Sequence, residues 1–275
     1  MRRLIPLIVC FVAAACHGEH ENLNAFSWSR DLAAGGTLRI RNTNGTIKVV
    51  PAANGHTAAV RAATHWRRGD PERDLKFVAV SEANDATICV HWGTGTCTAT
   101  EYTNHSTRGF LGLFPGRGTD ARVDFTVEVP PGTQVDLSTM NGELTVSAQS
   151  PVVARTLNGA IHVATAIGPV TAVTLNGTVD VRMTTIGGAG DLRAETTNGD
   201  ASLYVPTTVD GAVSMSTVNG ELTSWFPLTT PASSKKHLEG VLRAGTRAIV
   251  VHSVNGSVTL GALDAQGKIL SQQAP

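Results

Sequence analysis

Few side chains in this sequence have types and spacings that could support catalysis. His162 and Asp180 lie 18 residues apart, and Glu143 precedes them at a similar place in a repeated pattern. If the repeats stack, these side chains lie close together on one outer face, where β-helix enzymes that cleave polysaccharides carry acid and base groups. A His–Asp contact without a nucleophile or metal is more typical of a surface pair. The motifs G-x-S-x-G and H-E-x-x-H are absent from the sequence. We therefore predict no catalytic residues, no metal site and no cofactor.

The cysteines suggest a different kind of chemistry. Cys89 and Cys97 are eight residues apart and flank the segment HWGTG. In an exported protein, two such cysteines are expected to form a disulfide across a hairpin. Cys16 follows three alanines at the end of an apolar segment, a pattern that resembles the bacterial lipobox. We therefore predict that Cys16 is lipidated.

The N-terminal segment has the features of an export signal. Arg2 and Arg3 precede an apolar run, residues 4–12, which is too short to span a membrane stably. We predict a signal peptide at residues 1–15 and a polar tether at residues 16–25. The protein would then lie in the cell envelope, attached to a membrane by its lipid, and plain secretion after cleavage near Ala15 is the alternative.

The composition favours a β protein rich in turns. The chain has 28 glycines, only 16% charged residues, and 22 basic against 22 acidic residues. A net charge of zero gives no electrostatic reason to expect binding to nucleic acid. No long stretch has the apolar spacing of an amphipathic helix.

An Asn-Gly pair recurs along the chain and organises most of it. From Asn141 to Asn219 the steps between successive copies are 17, 18, 22 and 21 residues, and the last copy follows after 36 residues, which is two steps of 18. Apolar and polar residues alternate on both sides of each pair, which is typical of strands, and Asn-Gly is a strong turn signal. The predicted corners are Asn44, Gly45, Asn141, Gly142, Asn158, Gly159, Asn176, Gly177, Asn198, Gly199, Asn219, Gly220, Asn255 and Gly256.

Two architectures fit this pattern: a series of hairpins, or a solenoid in which each copy stacks on the last. The nearly constant step favours an all-β solenoid with coils of about 17–22 residues. Stacking would place equivalent Thr and Asn side chains about 4.8 Å apart, so that they could hydrogen bond along ladders. We expect Gly142, Gly159, Gly177, Gly199 and Gly220 to adopt positive φ.

The residue before each corner asparagine is mostly apolar. Strand alternation places this position opposite the inward Thr at minus two, so that stacking would form an exposed apolar row. A bend at the corner, or cover from residues 26–130, would bury it instead. If the row is exposed, it is the best candidate binding surface, and its main members are Met140, Leu157, Leu175 and Val218.

The other segments frame the repeats. Residues 26–130 are predicted to form an N-terminal β region, residues 131–265 the solenoid and residues 266–275 a loose tail. Residues 102–122 form a Gly-rich loop whose apolar centre is Phe110, Leu111, Leu113 and Phe114. This loop is either a binding loop or a flap packed on the sheet.

The order of these features resembles the bacterial DUF4097 family of β-strand-repeat proteins, often labelled as candidate adhesin domains. The resemblance rests on the opening strand at residues 36–49, the V-P-P-G-T strand end at residues 129–133 and the repeated T-x-N-G units. It implies an envelope or surface β-solenoid without established chemistry. The partner would be an envelope polysaccharide or another surface protein. The alternatives are a β-helix carbohydrate-active enzyme and a ligand-free structural or envelope-stress accessory protein.

Overall fold

The computed structural model describes residues 19–104, 119–165 and 167–270. Within these residues the chain forms strands and one helical turn, α1 (Pro71–Asp74). The strands are β1 (His20–Asp31), β2 (Thr37–Arg41), β3 (Ile47–Pro51), β4 (Thr57–Trp66), β5 (Leu75–Glu82), β6 (Asp85–Trp92), β7 (Arg122–Val129), β8 (Gln134–Asn141), β9 (Leu144–Ala148), β10 (Val152–Asn158), β11 (Ile161–Thr165), β12 (Val170–Asn176), β13 (Val179–Met183), β14 (Leu192–Asn198), β15 (Ala201–Pro206), β16 (Gly211–Asn219), β17 (Leu222–Ser224), β18 (Thr229–Ser233), β19 (His237–Leu242), β20 (Ala248–Asn255) and β21 (Val258–Leu263).

The strands form two sheets that face each other across one core, as the solenoid prediction requires. Strands that precede a corner belong to the pre-corner sheet, ordered β18-β19-β16-β20-β14-β12-β10-β8-β2-β6-β5. Strands that follow a corner belong to the post-corner sheet, ordered β1-β4-β7-β3-β9-β11-β13-β15-β21-β17. Each coil thus contributes one strand to each sheet, and β10, for example, pairs in parallel with β8 and β12. The predicted all-β solenoid is confirmed.

Strand alternation explains the core. In β12 the residues Val170, Ala172 and Thr174 are buried, whereas those between them are partly exposed. The same alternation in the other coils directs Val, Leu, Ile and Ala side chains between the sheets, where one continuous apolar cluster forms. Antiparallel pairs, such as β1–β4 and β16–β19, lie at the two ends of the parallel stack and cap it.

The corner asparagines form a continuous ladder along the stack. Six of the seven side-chain Nδ2 groups donate to the Oδ1 of the neighbouring rung at 2.7–2.8 Å, as the stacking argument predicts. The order of the rungs is Asn44, Asn141, Asn158, Asn176, Asn198, Asn255 and Asn219. Because every interior amide both donates and accepts, the polar rim of the stack is satisfied without a partner molecule.

The threonines at minus two hydrogen bond differently from the predicted Thr–Thr ladder. Their hydroxyls are buried, and each donates to the carbonyl of the corner glycine in the neighbouring coil. Thr174 Oγ1, for example, lies 3.0 Å from Gly159 O, and Thr196 Oγ1 lies 2.8 Å from Gly177 O. The main-chain carbonyl is therefore the acceptor, and each threonine links its own coil to the one beside it.

We expect the Thr174→Val variant to lose about 1–2 kcal/mol of unfolding free energy, because the carbonyl of Gly159 loses a buried donor. The Thr174→Ser variant keeps the hydroxyl and is the matched control. Denaturant unfolding of both variants measures the difference. Equal stability of the two variants would contradict the role given to this hydrogen bond.

The corner glycines are required chiefly by the close approach of neighbouring coils. Of the five corner glycines expected to have positive φ, Gly159, Gly177 and Gly199 have it, whereas Gly142 and Gly220 lie outside that region. A Cβ added to any of the five would lie under 3.0 Å from the carbonyl oxygen of the next corner glycine. The expectation of positive φ at all five was therefore wrong, because steric exclusion between rungs selects glycine even where φ does not.

The predicted N-terminal region is continuous with the repeats. Strand β2 pairs in parallel with β8, and β3 pairs in parallel with β9, so that residues 26–130 contribute to the same two sheets as residues 131–265. Strand β1 begins at His20, so that part of the segment predicted as a tether pairs with β4. The predicted signal peptide at residues 1–15 and the lipidation site Cys16 lie outside the described residues.

The last coil is inserted rather than appended. Strand β20 lies between β14 and β16, and β21 lies between β15 and β17. The hairpin β18–β19 carries the chain along the outer edge of β16, and the chain then returns to the inner edge. The interval of 36 residues therefore contains this hairpin, not an additional coil. The described residues include no helix long and apolar enough to cross a membrane.

Candidate functional site

The position before each corner asparagine forms an exposed row on the pre-corner sheet. We define the corner row as Met140, Leu157, Leu175, Thr197, Val254 and Val218, in the order of the stack. Met140 is 50% exposed, Leu157 40%, Leu175 41% and Val218 58%. Thr197 and Val254 are half-buried. The strands keep their alternation up to the corner, so that neither the bend nor residues 26–130 bury this row.

The surroundings of the corner row are mostly apolar, with ion pairs and one additional arginine. Val153 and Val173 are half-buried on the same outer face. The charged side chains of this face pair with one another: Arg41 Nη2 lies 2.7 Å from Asp136 Oδ2, and Arg193 Nη1 lies 2.6 Å from Glu195 Oε1. Arg155, two residues before Leu157, lies 3.8 Å from Asp136 Oδ1, and this carboxylate is already paired with Arg41, so that one positive charge beside the row is not neutralised. A ligand of the corner row would therefore meet apolar side chains, paired charges and this arginine.

One end of the corner row is built by a hairpin that sequence reasoning did not connect to it. The disulfide between Cys89 and Cys97 confirms the predicted pairing and ties residues 93–104 to β6. Tyr102 Oη lies 2.7 Å from Val90 O and 3.1 Å from Thr43 Oγ1. Thr43 is the residue before the first corner asparagine, Asn44. Burial raises the pKa of the Tyr102 hydroxyl, and its hydrogen bonds to Thr43 and Asn104 oppose that shift.

The contact between Thr43 and Tyr102 joins residues 59 positions apart, and the sequence gives no signal for it. The apolar centre predicted for the adjoining loop, Phe110, Leu111, Leu113 and Phe114, lies outside the described residues.

The predicted catalytic alternative finds little support in the geometry. His162 and Asp180 are neighbours in the register of β11 and β13, as stacking requires. The Asp180 carboxylate, however, lies 2.8 Å from Arg182 Nε, and this contact raises the pKa of Arg182. Glu143 accepts a hydrogen bond from Thr145 Oγ1 at 2.9 Å. Asp180 and Glu143 are therefore each engaged by a side chain other than His162.

Two surface depressions occur elsewhere in the described part of the chain. One, of about 240 Å³, is lined by Glu19, His65, Trp66, Arg67, Asp120 and Arg122. The other, of about 200 Å³, lies beside Asp210 and Arg247. Neither contains His162 or Asp180, and the described residues include no group of three or more His, Cys, Asp or Glu side chains placed to hold a metal ion.

The outer face of the post-corner sheet carries an aromatic cluster that the sequence analysis missed. The rings of Tyr204 and Trp225 are 6.0 Å apart in an edge-to-face arrangement, and the Arg182 guanidinium lies 5.6 Å from the Tyr204 centroid. Both rings lie over Gly261, where an added Cβ would meet Tyr204 at under 3.0 Å. A glycine inside a strand often marks such a close approach, and this was the available signal.

The family model described as Toastrack DUF4097 matches residues 124–261. A candidate cell adhesion protein from Clostridium sporogenes is similar at 9% identity and a TM-score of 0.40, over 86% of this chain and 99% of that chain. A candidate adhesin from Bacteroides fragilis is similar at 9% identity and a TM-score of 0.36, over 88% and 99%. No curated protein matches the chain.

Proposed function

Since the chain belongs to the Toastrack DUF4097 family, we propose that it is a non-catalytic binding module of the cell envelope. Its binding surface would be the corner row. The observation that carries this proposal is the concentration of exposed apolar side chains there. Among the described residues, seven large apolar side chains are exposed, and four of them are Met140, Leu157, Leu175 and Val218. Contiguous apolar surface of this kind is typical of interaction sites.

The apolar character of the surface favours another surface protein as the partner. An apolar row bordered mainly by ion pairs offers contact area but few free hydrogen-bonding groups, which suits a protein face with matching apolar side chains. Envelope polysaccharide is the alternative ligand. A ligand-free structural role is the remaining alternative, and it predicts that the row binds nothing.

The test is to screen the purified protein for binding to arrays of peptidoglycan, lipopolysaccharide and host-matrix proteins. The double variant Leu157→Asp and Leu175→Asp should then reduce binding to the strongest ligand by roughly tenfold or more, because two charges would enter the apolar contact. Its melting temperature should stay close to that of the wild type, since both side chains are exposed.

The matched control places the same charges on the opposite sheet. Ala164 and Thr178 are exposed on the post-corner side, and the double variant Ala164→Asp and Thr178→Asp should bind normally. Equal loss in both double variants would mean that charge alone weakens binding. Binding to no array, or normal binding by the corner-row variant, would contradict the proposed site.

We also propose that Cys16 attaches the protein to a membrane through a lipid. A disulfide-bonded hairpin fits an oxidising compartment outside the cytoplasm. Because β1 begins at His20, four positions after Cys16, the link could extend at most about 15 Å. The capped end of the stack that contains β1 would then face the bilayer. Mass spectrometry of the mature N-terminus should detect a diacylglyceryl group on Cys16, and an unmodified N-terminus would contradict the anchor.

A further inference from the structure

The stack of coils is capped on only one of its two sheets at the β17 end. The pre-corner sheet continues past β16 into β19 and β18, whereas the post-corner sheet stops at β17. Among the described strands, β17 pairs with β21 on one side and with none on the other. Such an edge presents backbone groups that can accept another strand. We propose that the β17 edge binds an extended segment of another protein as an additional parallel strand, and that this segment carries an Asn-Gly pair followed by alternating apolar residues.

The pairing of β17 with β21 shows which of its backbone groups face outward. Glu221 O lies 2.8 Å from a backbone nitrogen of β21, and Trp225 N lies 3.0 Å from a carbonyl oxygen of β21. In a parallel pair, alternate residues direct both backbone groups to the same neighbour, so that Leu222 and Ser224 face away from β21. The N–H of Gly220 also has no acceptor in the part of the chain that the structure describes. The edge therefore presents the N–H groups of these three residues and the carbonyls of Leu222 and Ser224.

The asparagine ladder has an open position at the same edge. Asn219 Nδ2 donates to Asn255 Oδ1 at 2.8 Å, but within the described residues no group donates to Asn219 Oδ1. In the interior of the stack the equivalent oxygen accepts from the next rung, as Asn158 Oδ1 does from Asn176 Nδ2 at 2.7 Å. An arriving strand that begins with asparagine would therefore extend the ladder by one rung.

The apolar core is also incompletely covered at this edge. The third residue after the corner asparagine is at most 1% exposed in the other coils, where it is Ile47, Leu144, Ile161, Val179, Ala201 or Val258. Leu222 occupies this position in the last rung and is only half-buried. An apolar side chain at the same position of an arriving strand would remove Leu222 from water, which favours binding.

A lysine already takes the place of the hydroxyl that a further coil would supply. In the interior of the stack, the carbonyl of each corner glycine accepts from a threonine or serine of the next coil, as Gly159 O does from Thr174. Gly220 O instead accepts from Lys236 Nζ, and Lys236 O accepts from Thr217 N at 3.0 Å. The pre-corner half of the next position is thus occupied by this chain, and the partner needs to supply only a post-corner strand.

The close approach at the corner makes the edge selective for sequence. A Cβ added to Gly177 would lie under 3.0 Å from Gly159 O in the neighbouring coil. An arriving strand in the same register would bring its second residue equally close to Gly220 O, so that only glycine fits there. The edge therefore selects asparagine, then glycine, then an apolar residue two positions later.

The probe for this edge is a synthetic peptide of residues 176–183, NGTVDVRM, whose strand pairs with β11 in this way in the folded chain. Fluorescence anisotropy of the labelled peptide measures its binding to the intact protein, and amide hydrogen exchange locates it. Binding should slow exchange at Leu222 and Ser224 and leave the β5 edge unchanged. The corner-row variant with Leu157→Asp and Leu175→Asp should bind the peptide as well as the wild type, because the two surfaces are separate.

Two N-methylated peptides test the pairing while the protein stays unchanged. Val179 N donates to β15 in the folded chain, so that Val181 N also points that way and the N–H of Asp180 points to the opposite side. Methylation of the Asp180 nitrogen removes the donor to Leu222 O and should weaken binding by roughly tenfold or more. Methylation of the Val181 nitrogen, which faces away from β17, should change the affinity little.

Two substituted peptides test the corner. Asn176→Asp removes the Nδ2 donor and places a carboxylate opposite Asn219 Oδ1, and Gly177→Ala brings a Cβ against Gly220 O. Each should weaken binding by roughly fivefold or more. Affinities equal to that of the parent peptide would overturn the sequence requirement. No binding of the parent peptide, no protection of β17, or equal affinities of the two N-methylated peptides would overturn the strand addition itself.

Discussion

Replacing Gly142 with alanine should lower the unfolding free energy by about 1–3 kcal/mol or more, although the backbone there does not have positive φ. The added Cβ would lie under 3.0 Å from the carbonyl oxygen of Gly45 and the two coils would have to separate. The Gly177→Ala variant combines the same overlap with a φ of 151° and should lose about 2–5 kcal/mol.

Gly35→Ala is the control for conformation alone. Gly35 has a φ of 85°, and an added Cβ would meet nothing within 4 Å, so that only about 1–2 kcal/mol of backbone strain is expected. Denaturant unfolding of the three variants separates the two causes. If Gly142→Ala were as stable as the wild type, φ would explain the corner glycines and close approach would not.

Loss of the disulfide should have the second largest effect. The double variant Cys89→Ala and Cys97→Ala is expected to lose about 2–3 kcal/mol, because the short loop closed by the bridge gains freedom in the unfolded chain. The hairpin should also loosen locally, since the bridge holds the segment that places Tyr102 against Thr43 and Val90.

Two measurements check this prediction. Denaturant unfolding with and without a reductant gives the free-energy difference, and the reductant should affect only the wild type. Amide hydrogen exchange at residues 93–104 reports the local loosening. Unchanged exchange and unchanged stability in the double variant would show that backbone pairing alone holds the hairpin.

Much of the fold could be predicted from the sequence because two simple signals agree. Alternation with a period of two determines which side chains face the core, and the Asn-Gly pairs mark where each coil bends. The corner row follows from the same alternation, since Leu157 and Leu175 occupy equivalent positions in successive coils. These features depend on local sequence and on the repeat, which a single chain displays directly.

The features that could not be predicted depend on choices between equivalent partners. The repeat pattern of Asn255 fits the edge of β14 as well as that of Asn219, so that the sequence does not state which copy lies next to Asn198. The Thr174 hydroxyl donates to the carbonyl of Gly159, and the repeat pattern does not distinguish this acceptor from a threonine hydroxyl in the next coil. The contact between Thr43 and Tyr102 depends on a hairpin that is closed by the Cys89–Cys97 disulfide.

The inserted position of β20 has a consequence for the order in which the molecule assembles. Strands β14 and β16 are both synthesised before β20, and each has an edge that accepts the same repeat pattern. A nascent chain that ends before residue 248 can therefore pair β16 directly with β14. Native assembly then requires this premature pairing to open so that the last coil can enter, and pairings of such long sequence separation form slowly. The coil that is synthesised last thus determines when the stack between β14 and β16 becomes complete.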